Sequence, residues 1–231
     1  MWMNFSNRQE YQSMNDFFSP QQRQMQDEHD TRKLADRLQQ VIVEQHVNEQ
    51  HQPFIESRDF FFLTTIDHRG YPTCSYKGGN PGLVKVVNPG ELAFPSYDGN
   101  GMFLSMGNIQ GNAKIGMLFI DFETPHRIRV HGDASTHSDD SLLAEYPGAE
   151  LIVRVKISEL FINCPRYIHR MSRIASSSYV PQEDKETPLP QWKRIDLLQD
   201  ALPACDRHIA ERLGGIITIE EYSDRVVKSD D

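Results

Sequence analysis

Cysteine is scarce and follows no pairing pattern: Cys74, Cys164 and Cys205 are odd in number, widely spaced, and contain no Cys-x-x-Cys. That excludes a disulfide framework and a zinc knuckle, and it fits a reducing cytoplasm. Positive charge is also in short supply. With 24 Lys and Arg against 33 Asp and Glu, the chain carries a formal charge of -9, which repels a phosphate backbone, so no nucleic-acid partner is expected. Long apolar runs are missing. No stretch approaches the ~20 apolar residues that span a bilayer. The opening "MWMNFSNRQEYQSMNDFFSP" has no apolar segment behind a basic start, so a soluble protein that is neither exported nor membrane-bound is expected. No internal repeat is evident, which sets solenoids and propellers aside. A Ser-His-Asp order, a nucleophile elbow and a Walker loop are all absent, leaving hydrolase and NTPase readings without support.

What is present suffices for a sizeable core: 231 residues, 38% of them hydrophobic and 25% charged, need no covalent staples. Residues 1 to about 29 form a polar, Gln/Asn/Ser-rich segment with scattered aromatics (Trp2, Phe5, Tyr11, Phe17, Phe18), for which partial order at best is expected. From Asp30, Leu34, Leu38, Val41 and Ile42 recur at helical spacing and predict one amphipathic helix ending near His51-Gln52-Pro53. A shorter helical signal follows in "FIESRDF". The period then changes to that of strands in "FFFLTTI", "YPTCSYKGG", "LVKVV", "ELAF", "KIGMLFIDFE", "RIRVHGDAST" and "LIVRVKISELFIN", separated by turns such as "DHRG" and "GGNPG". Short strands at this spacing, with helical intervals only near 98–112 and 138–146, describe a barrel or sandwich in an α+β chain. The segment from 173 to 231 is a Ser/Pro-rich loop followed by helical spacing in "QWKRIDLLQDALPACDRHIAERL" and a short charged helix.

Four elements can carry chemistry. Ser75, Tyr76, Lys77 and two glycines end one strand, bringing a cation and bare amides to one rim, as a phosphate dianion requires; an exposed strand-end lysine is the plainer alternative. "FPSYDGNGMFLSMGN" is too long for a hairpin turn. With Asp98 to Asn100 as a turn and Gly101 to Gln110 as a helix, the helix start and the side chains of Asn100, Ser105 and Asn108 present donors to one anion, with Met102, Phe103 and Leu104 as core anchors; a capped surface helix is the alternative. Arg127 and Arg129 share one face of a strand, explained equally by a ligand or by solvated arginines at a sheet edge. His126, His131 and His137 follow spacings that place the first pair on opposite faces and the last pair about 20 Å apart, which rules out a histidine metal site. Finally, "NCPRYIHR" projects Arg166, Tyr167 and His169 from a turn, suited to stacking on a flat ligand or to packing at a subunit contact.

Taken together, "FFFLTTIDHRGYPTCSYKGGNPGLVKVV", "LAFPSYDGNGMFLSMGNIQGNAKIGMLFIDFETPHRIRVHGDA" and "NCPRYIHR" resemble the pyridoxamine 5'-phosphate oxidase-like superfamily of FMN-binding split barrels, and within it the uncharacterised flavoprotein group. The resemblance runs from roughly Thr31 to Ala204. It implies a six-stranded antiparallel split barrel over residues 30–172, and a homodimer with FMN in clefts at the interface. It also implies that Ser75, Tyr76 and Lys77 match the strand holding the phosphate and ribityl chain. Ser96, Tyr97, Asn100, Gly101 and Ser105 match the second phosphate-binding segment, and Arg127 falls where a polar side chain reaches the flavin ring. Arg166, Tyr167 and His169 match residues given by the partner subunit. The authentic oxidase has an arginine five residues before the strand lysine, where this chain has Pro72, and nothing after Trp192 reproduces its Arg-Leu-His-Asp-Arg segment. The cofactor site is therefore kept more faithfully than the vitamin B6 site. The expected function is an FMN-dependent oxidoreductase acting on a small molecule. A flavin or haem carrier without turnover and the authentic oxidase are the alternatives.

Overall fold

The computed structural model describes residues 17–227, in two compact units, one ending at Ser172 and the other beginning at Arg173. The first helix, α1 (Pro20–Glu28), starts with a reciprocal cap: Gln22 N–H donates to Ser19 Oγ while the Gln22 side chain accepts from Ser19 N–H, and proline occupies the first turn. This box gives residues 20–28 a helix where only partial order was expected; Trp2, Phe5 and Tyr11 lie outside the described residues. The leucine stripe forms α2 (Arg32–Ile42). That helix stops well short of His51, because Val41, Ile42 and Val43 are a β-branched run and Val43 is already extended. The chain then makes a two-residue strand, β1 (Val43–Glu44), and a short helix, α3 (His51–Glu56).

The barrel strands are β2 (Phe60–Ile66), β3 (Pro72–Gly78), β4 (Lys85–Asn88) and β5 (Glu91–Tyr97), followed by helix α4 (Leu104–Gly111). Three long strands complete it: β6 (Lys114–Asp121), β7 (His126–His137) and β8 (Ala149–Ile162). They form one antiparallel sheet in the order β3-β2-β6-β7-β8-β5-β4, with β1 added beside β8. The sheet thus has eight strands, not six; β1 was hidden inside the expected long helix. The path leaves β3 and β4 at its ends, so the barrel is split. β7 lies between β6 and β8, which removes the sheet-edge explanation for Arg127 and Arg129.

Alternation sorts the side chains. Phe61, Leu63, Phe94, Met117, Phe119, Ile128, Val130, Val153, Val155 and Leu160 fill the interior, each contributing about 1.5–3 kcal/mol by leaving water. Register then places the site residues: Lys77 pairs with Phe61 and Ser75 with Leu63, so both belong to the inner face, whereas Tyr76 pairs with Phe62 on the outer face. One irregularity matters. The β7–β8 register shifts between His131 and Gly132. A Cβ on Gly132 would stand 2.5 Å from the Lys156 carbonyl oxygen, so glycine is what lets the two strands approach.

In the second unit, the helical spacing of 191–213 does not become one helix. It breaks into two 3-10 turns, Gln191–Arg194 and Asp196–Leu198, and a short α5 (Ile209–Arg212), followed by α6 (Ile219–Val227). Pro203 interrupts the run. Lys193 and Arg194 are turned inward and satisfied there, by Asp206 at 2.9 Å and by the Gly215 carbonyl at 2.7 Å. Among the described residues no helix is long and apolar enough to cross a membrane.

Candidate functional site

The start of α4 meets the inner face of β3. Ser105, which is buried, brings its Oγ to 3.2 Å from Ser75 Oγ, and Ser75 also lies 3.4 Å from the Leu63 carbonyl. No side chain caps α4: the residue before it, Phe103, sits in the left-handed region at φ 49°, and in the preceding turn Asn100 Oδ1 accepts from Met102 N–H, ahead of the helix. The first amides of the helix are therefore donors without intrahelical acceptors. Two strand positions away from Ser75 on the same face, Lys77 is partly buried and makes no hydrogen bond or ion pair among the described residues. Burial holds its ammonium below the ordinary lysine range. It is not the solvated strand-end lysine of the plainer alternative.

Other features of this stretch differ from the expectation. Met102, Phe103 and Leu104 are exposed by 62%, 58% and 51%, so they do not anchor the helix; Ser105, Met106 and Ile109 do. The helix begins at Leu104, because Gly101 (φ 75°) and Phe103 reverse the chain first. Asn108 faces the barrel, donating to Thr65 Oγ1 at 3.0 Å, whereas the exposed Asn100 uses only its oxygen, which accepts from Met102 N–H, and keeps its NH2 donors for another acceptor. Ser96 and Tyr97 belong to β5 and are half-buried; burial pushes the Tyr97 phenol up. Tyr76 stacks on Phe60, whose ring also stacks on Phe122, at centroid distances of 5.4 and 6.0 Å.

Arg127, on the outer face of β7, stands apart from Ser75 and Ser105, with β6 and β2 between its strand and β3. Its Nε is buried and unpartnered, as is Oδ1 of Asn163 just beyond β8. Beside them Cys164 accepts hydrogen bonds from Arg166, through the backbone N–H and the guanidinium. These bonds first, and the Arg166 and Arg127 charges second, hold its thiol below the usual range. Pro165 to Ile168 form a turn that leaves Tyr167 92% exposed with φ 69°, and Arg166 and His169 exposed as well. Among the described residues, no hydrogen bond or ion pair joins these three to Ser75, Lys77 or Ser105. Among the described residues no cluster of His, Cys, Asp and Glu is arranged to hold a metal.

Sequence spacing missed a groove of about 1390 Å³ on the outer face of the sheet. Its apolar floor includes Phe62, Ile66 and Leu118, and its polar wall Arg129, His131 and Glu159, with Cys74 and Pro72 of β3 at the far side. His131 Nδ1 and Glu159 Oε1 are 2.6 Å apart, and Arg129 lies over the Phe161 ring at 5.7 Å. His131 and Glu159 are 28 residues apart, so only the β7–β8 register could have revealed the pair. None of the cofactor-binding residues implied by the resemblance lines this groove, although Arg129, singled out with Arg127 from the strand pattern, does, and Tyr76 and Arg127 share its face of the sheet.

Comparison with known proteins bears on this arrangement. No curated protein matches the chain. Among solved structures, it is similar to a pyridoxamine 5'-phosphate oxidase, described as putative, from Lactobacillus delbrueckii, at 23% identity over 51% of this chain and 95% of that one, with a TM-score of 0.42. An FMN-binding protein from Syntrophomonas wolfei is similar at 11% identity over 61% and 97%, TM-score 0.40. The haem storage protein HutZ from Vibrio cholerae is similar at 18% identity over 47% and 89%, TM-score 0.37. The sequence profile of the pyridoxamine 5'-phosphate oxidase family matches residues 47–163, from the loop before α3 to the end of β8, and so covers half of the chain and the whole of the sheet except β1. The chain belongs to the pyridoxamine 5'-phosphate oxidase family.

Proposed function

We propose that the protein is an FMN-binding flavoprotein that oxidises or reduces a small molecule, working as a homodimer. The observation that carries the reading is the uncapped start of α4, where Ser105 meets Ser75 on the terminal strand β3. Free helix amides, two hydroxyls and the partly buried ammonium of Lys77, unpaired among the described residues, form a donor set for a dianionic phosphate. The residues fit the cofactor's tail. For the ring, the outer face supplies Arg127 with its unpartnered Nε.

FMN, when bound, supplies two-electron chemistry. The chain's own part is to neutralise the phosphate with Lys77 and the α4 amides, to set a positive guanidinium against the ring through Arg127, and to exclude water. In this reading a second copy brings Arg166, Tyr167 and His169 over the ring; the support is the outward projection of a 92% exposed tyrosine from a left-handed turn. Purified protein should therefore be yellow, carry flavin in proportion to chains, and have the mass of a dimer. A reductant such as NADH or NADPH should bleach the bound flavin faster than free FMN; bleaching at the free rate would reduce the reading to flavin binding.

A second reading, a haem-binding protein without turnover, is favoured by the exposed imidazole of His169, which bonds to nothing among the described residues. Its signature is a Soret band in place of flavin absorbance.

A further inference from the structure

The groove on the outer face of the sheet is polar at one end and apolar along its floor, and the register shows why. One cross-strand row runs from Arg129 on β7 through Leu118 on β6 to Phe62 on β2. The next runs from His131 through Gly116 and Thr64 to Cys74 on β3, three strand spacings or about 14 Å across. Gly116 makes the hollow between them. A Cβ there would stand 3.7 Å from His131 Cδ2 and 3.9 Å from Thr64 Cβ, so a longer side chain would occupy the space beside the imidazole.

The charges that line the groove are all answered except one. His131 Nδ1 engages Glu159 at 2.6 Å, Asn48 Nδ2 donates to Glu44 at 3.0 Å, and Lys114 reaches Asp133 at 2.8 Å. Arg129, half-buried, makes no hydrogen bond or ion pair among the described residues and lies only over the Phe161 ring. A planar guanidinium fork without an acceptor, at the head of an apolar floor, complements a carboxylate joined to an apolar body. Glu159 beside it would repel a second negative charge, which disfavours a phosphate dianion. We propose that the groove binds a small monocarboxylate with an extended apolar body, the carboxylate on Arg129 and the body lying over Leu118, Phe62 and Ile66 toward β3. The site is on the face of the sheet opposite to Ser75 and Lys77, and it does not rest on the flavin reading.

The experiment is a calorimetric titration of the full chain with octanoate and with octanamide, its neutral isostere, for the unaltered protein, Arg129→Gln and Gly116→Val. The unaltered protein should bind octanoate roughly tenfold more tightly than octanamide, the worth of one charge-assisted bond. Arg129→Gln should lose that preference while still binding octanamide. Gly116→Val, which fills the hollow with a residue suited to a strand, should weaken both ligands alike. Saturation with FMN should leave octanoate binding unchanged. Equal binding of the two ligands by the unaltered protein, or a preference undiminished in Arg129→Gln, overturns the inference. Absence of octanoate binding also overturns it and leaves the groove to a second copy of the chain. Displacement of octanoate by FMN overturns it by assigning the groove to the flavin, and the Arg129→Gln comparison decides the matter even where Gly116→Val fails to fold.

Discussion

Ser75 and Ser105, separated by 30 residues of sequence, bring their hydroxyl oxygens to 3.2 Å at the junction of the terminal strand and the uncapped helix. Neither hydroxyl is needed to hold the barrel, whose interior is filled by Phe61, Phe94, Phe119 and their neighbours. Ser105→Ala should therefore leave the melting temperature of flavin-free protein nearly unchanged and weaken FMN by about 0.5–1.5 kcal/mol, the net worth of one hydrogen bond. Calorimetric titration and a thermal melt, run together, check both halves.

Lys77→Ala should weaken FMN more, by about 1.5–3 kcal/mol, because a charge-assisted bond to phosphate is lost. Riboflavin, which has no phosphate, should bind the variant and the parent alike. Equal losses for both ligands would mean that the lysine shapes the site without meeting the tail.

Alkaline pH gives a separate handle on the same residue. Burial lowers the Lys77 ammonium from its ordinary value of 10.5. Between the folded and the unfolded values the unfolded chain holds a proton that the folded chain has released, so the stability of flavin-free protein attributable to Lys77 rises with pH across that interval. Below it the charged form opposes folding. Lys77→Met should be the more stable protein at neutral pH and should lack the alkaline rise, as urea melts at a series of pH values would report.

Asp140 and Arg154 supply the acid-side counterpart. Arg154 Nε donates to Asp140 at 2.5 Å, and Arg154 also reaches Glu91 at 3.2 Å, tying the 3-10 turn at Ser141–Glu145 to β5 and β8. The Arg154 hydrogen bond, against a smaller opposing effect of burial, holds the Asp140 carboxyl below its ordinary 3.8, aided by the Leu142 N–H. The stabilisation is complete above the ordinary value and is lost as pH falls through the lowered one. Asp140→Asn should reduce stability at neutral pH by about 1–3 kcal/mol, with a loss that narrows in acid.

Gly132→Ala tests the bulge. The added methyl would meet the Lys156 carbonyl at 2.5 Å and Val155 Cγ1 at 2.8 Å, and the first of these is backbone. A cost of about 2–3 kcal/mol is expected in chemical denaturation. Because the bulge lies beside His131, the distance between His131 and Glu159 should change with it, visible as a shift of the imidazole resonances.

Much of the fold was legible because strands announce themselves locally. "FFFLTTI" alternates buried and half-buried positions as a strand with one core face must. What local patterning could not show was competition between propensities. The stripe from Leu34 to Ile42 reads as a helix that should run on to His51, yet three β-branched residues in a row end it and hand β1 to the sheet. Met102, Phe103 and Leu104 look like core anchors because they are apolar; the left-handed turn at Phe103 points them to solvent instead. For the site, Ser75, Lys77 and Ser105 could be picked out as residue types, and alternation sets Tyr76 opposite to Ser75 and Lys77, but only the register shows which of those faces is the inner one and that Arg127 lies three strands along the sheet.

The central claim is that the α4–β3 junction holds the phosphate of a flavin nucleotide. Its most direct test is a thermal melt of protein stripped of ligand, with FMN and with riboflavin added at equal concentration. The account predicts a clear rise in melting temperature with FMN, a much smaller rise with riboflavin, and loss of the difference in Lys77→Ala. An unchanged melting temperature with FMN, or equal rises for the two compounds, would contradict it.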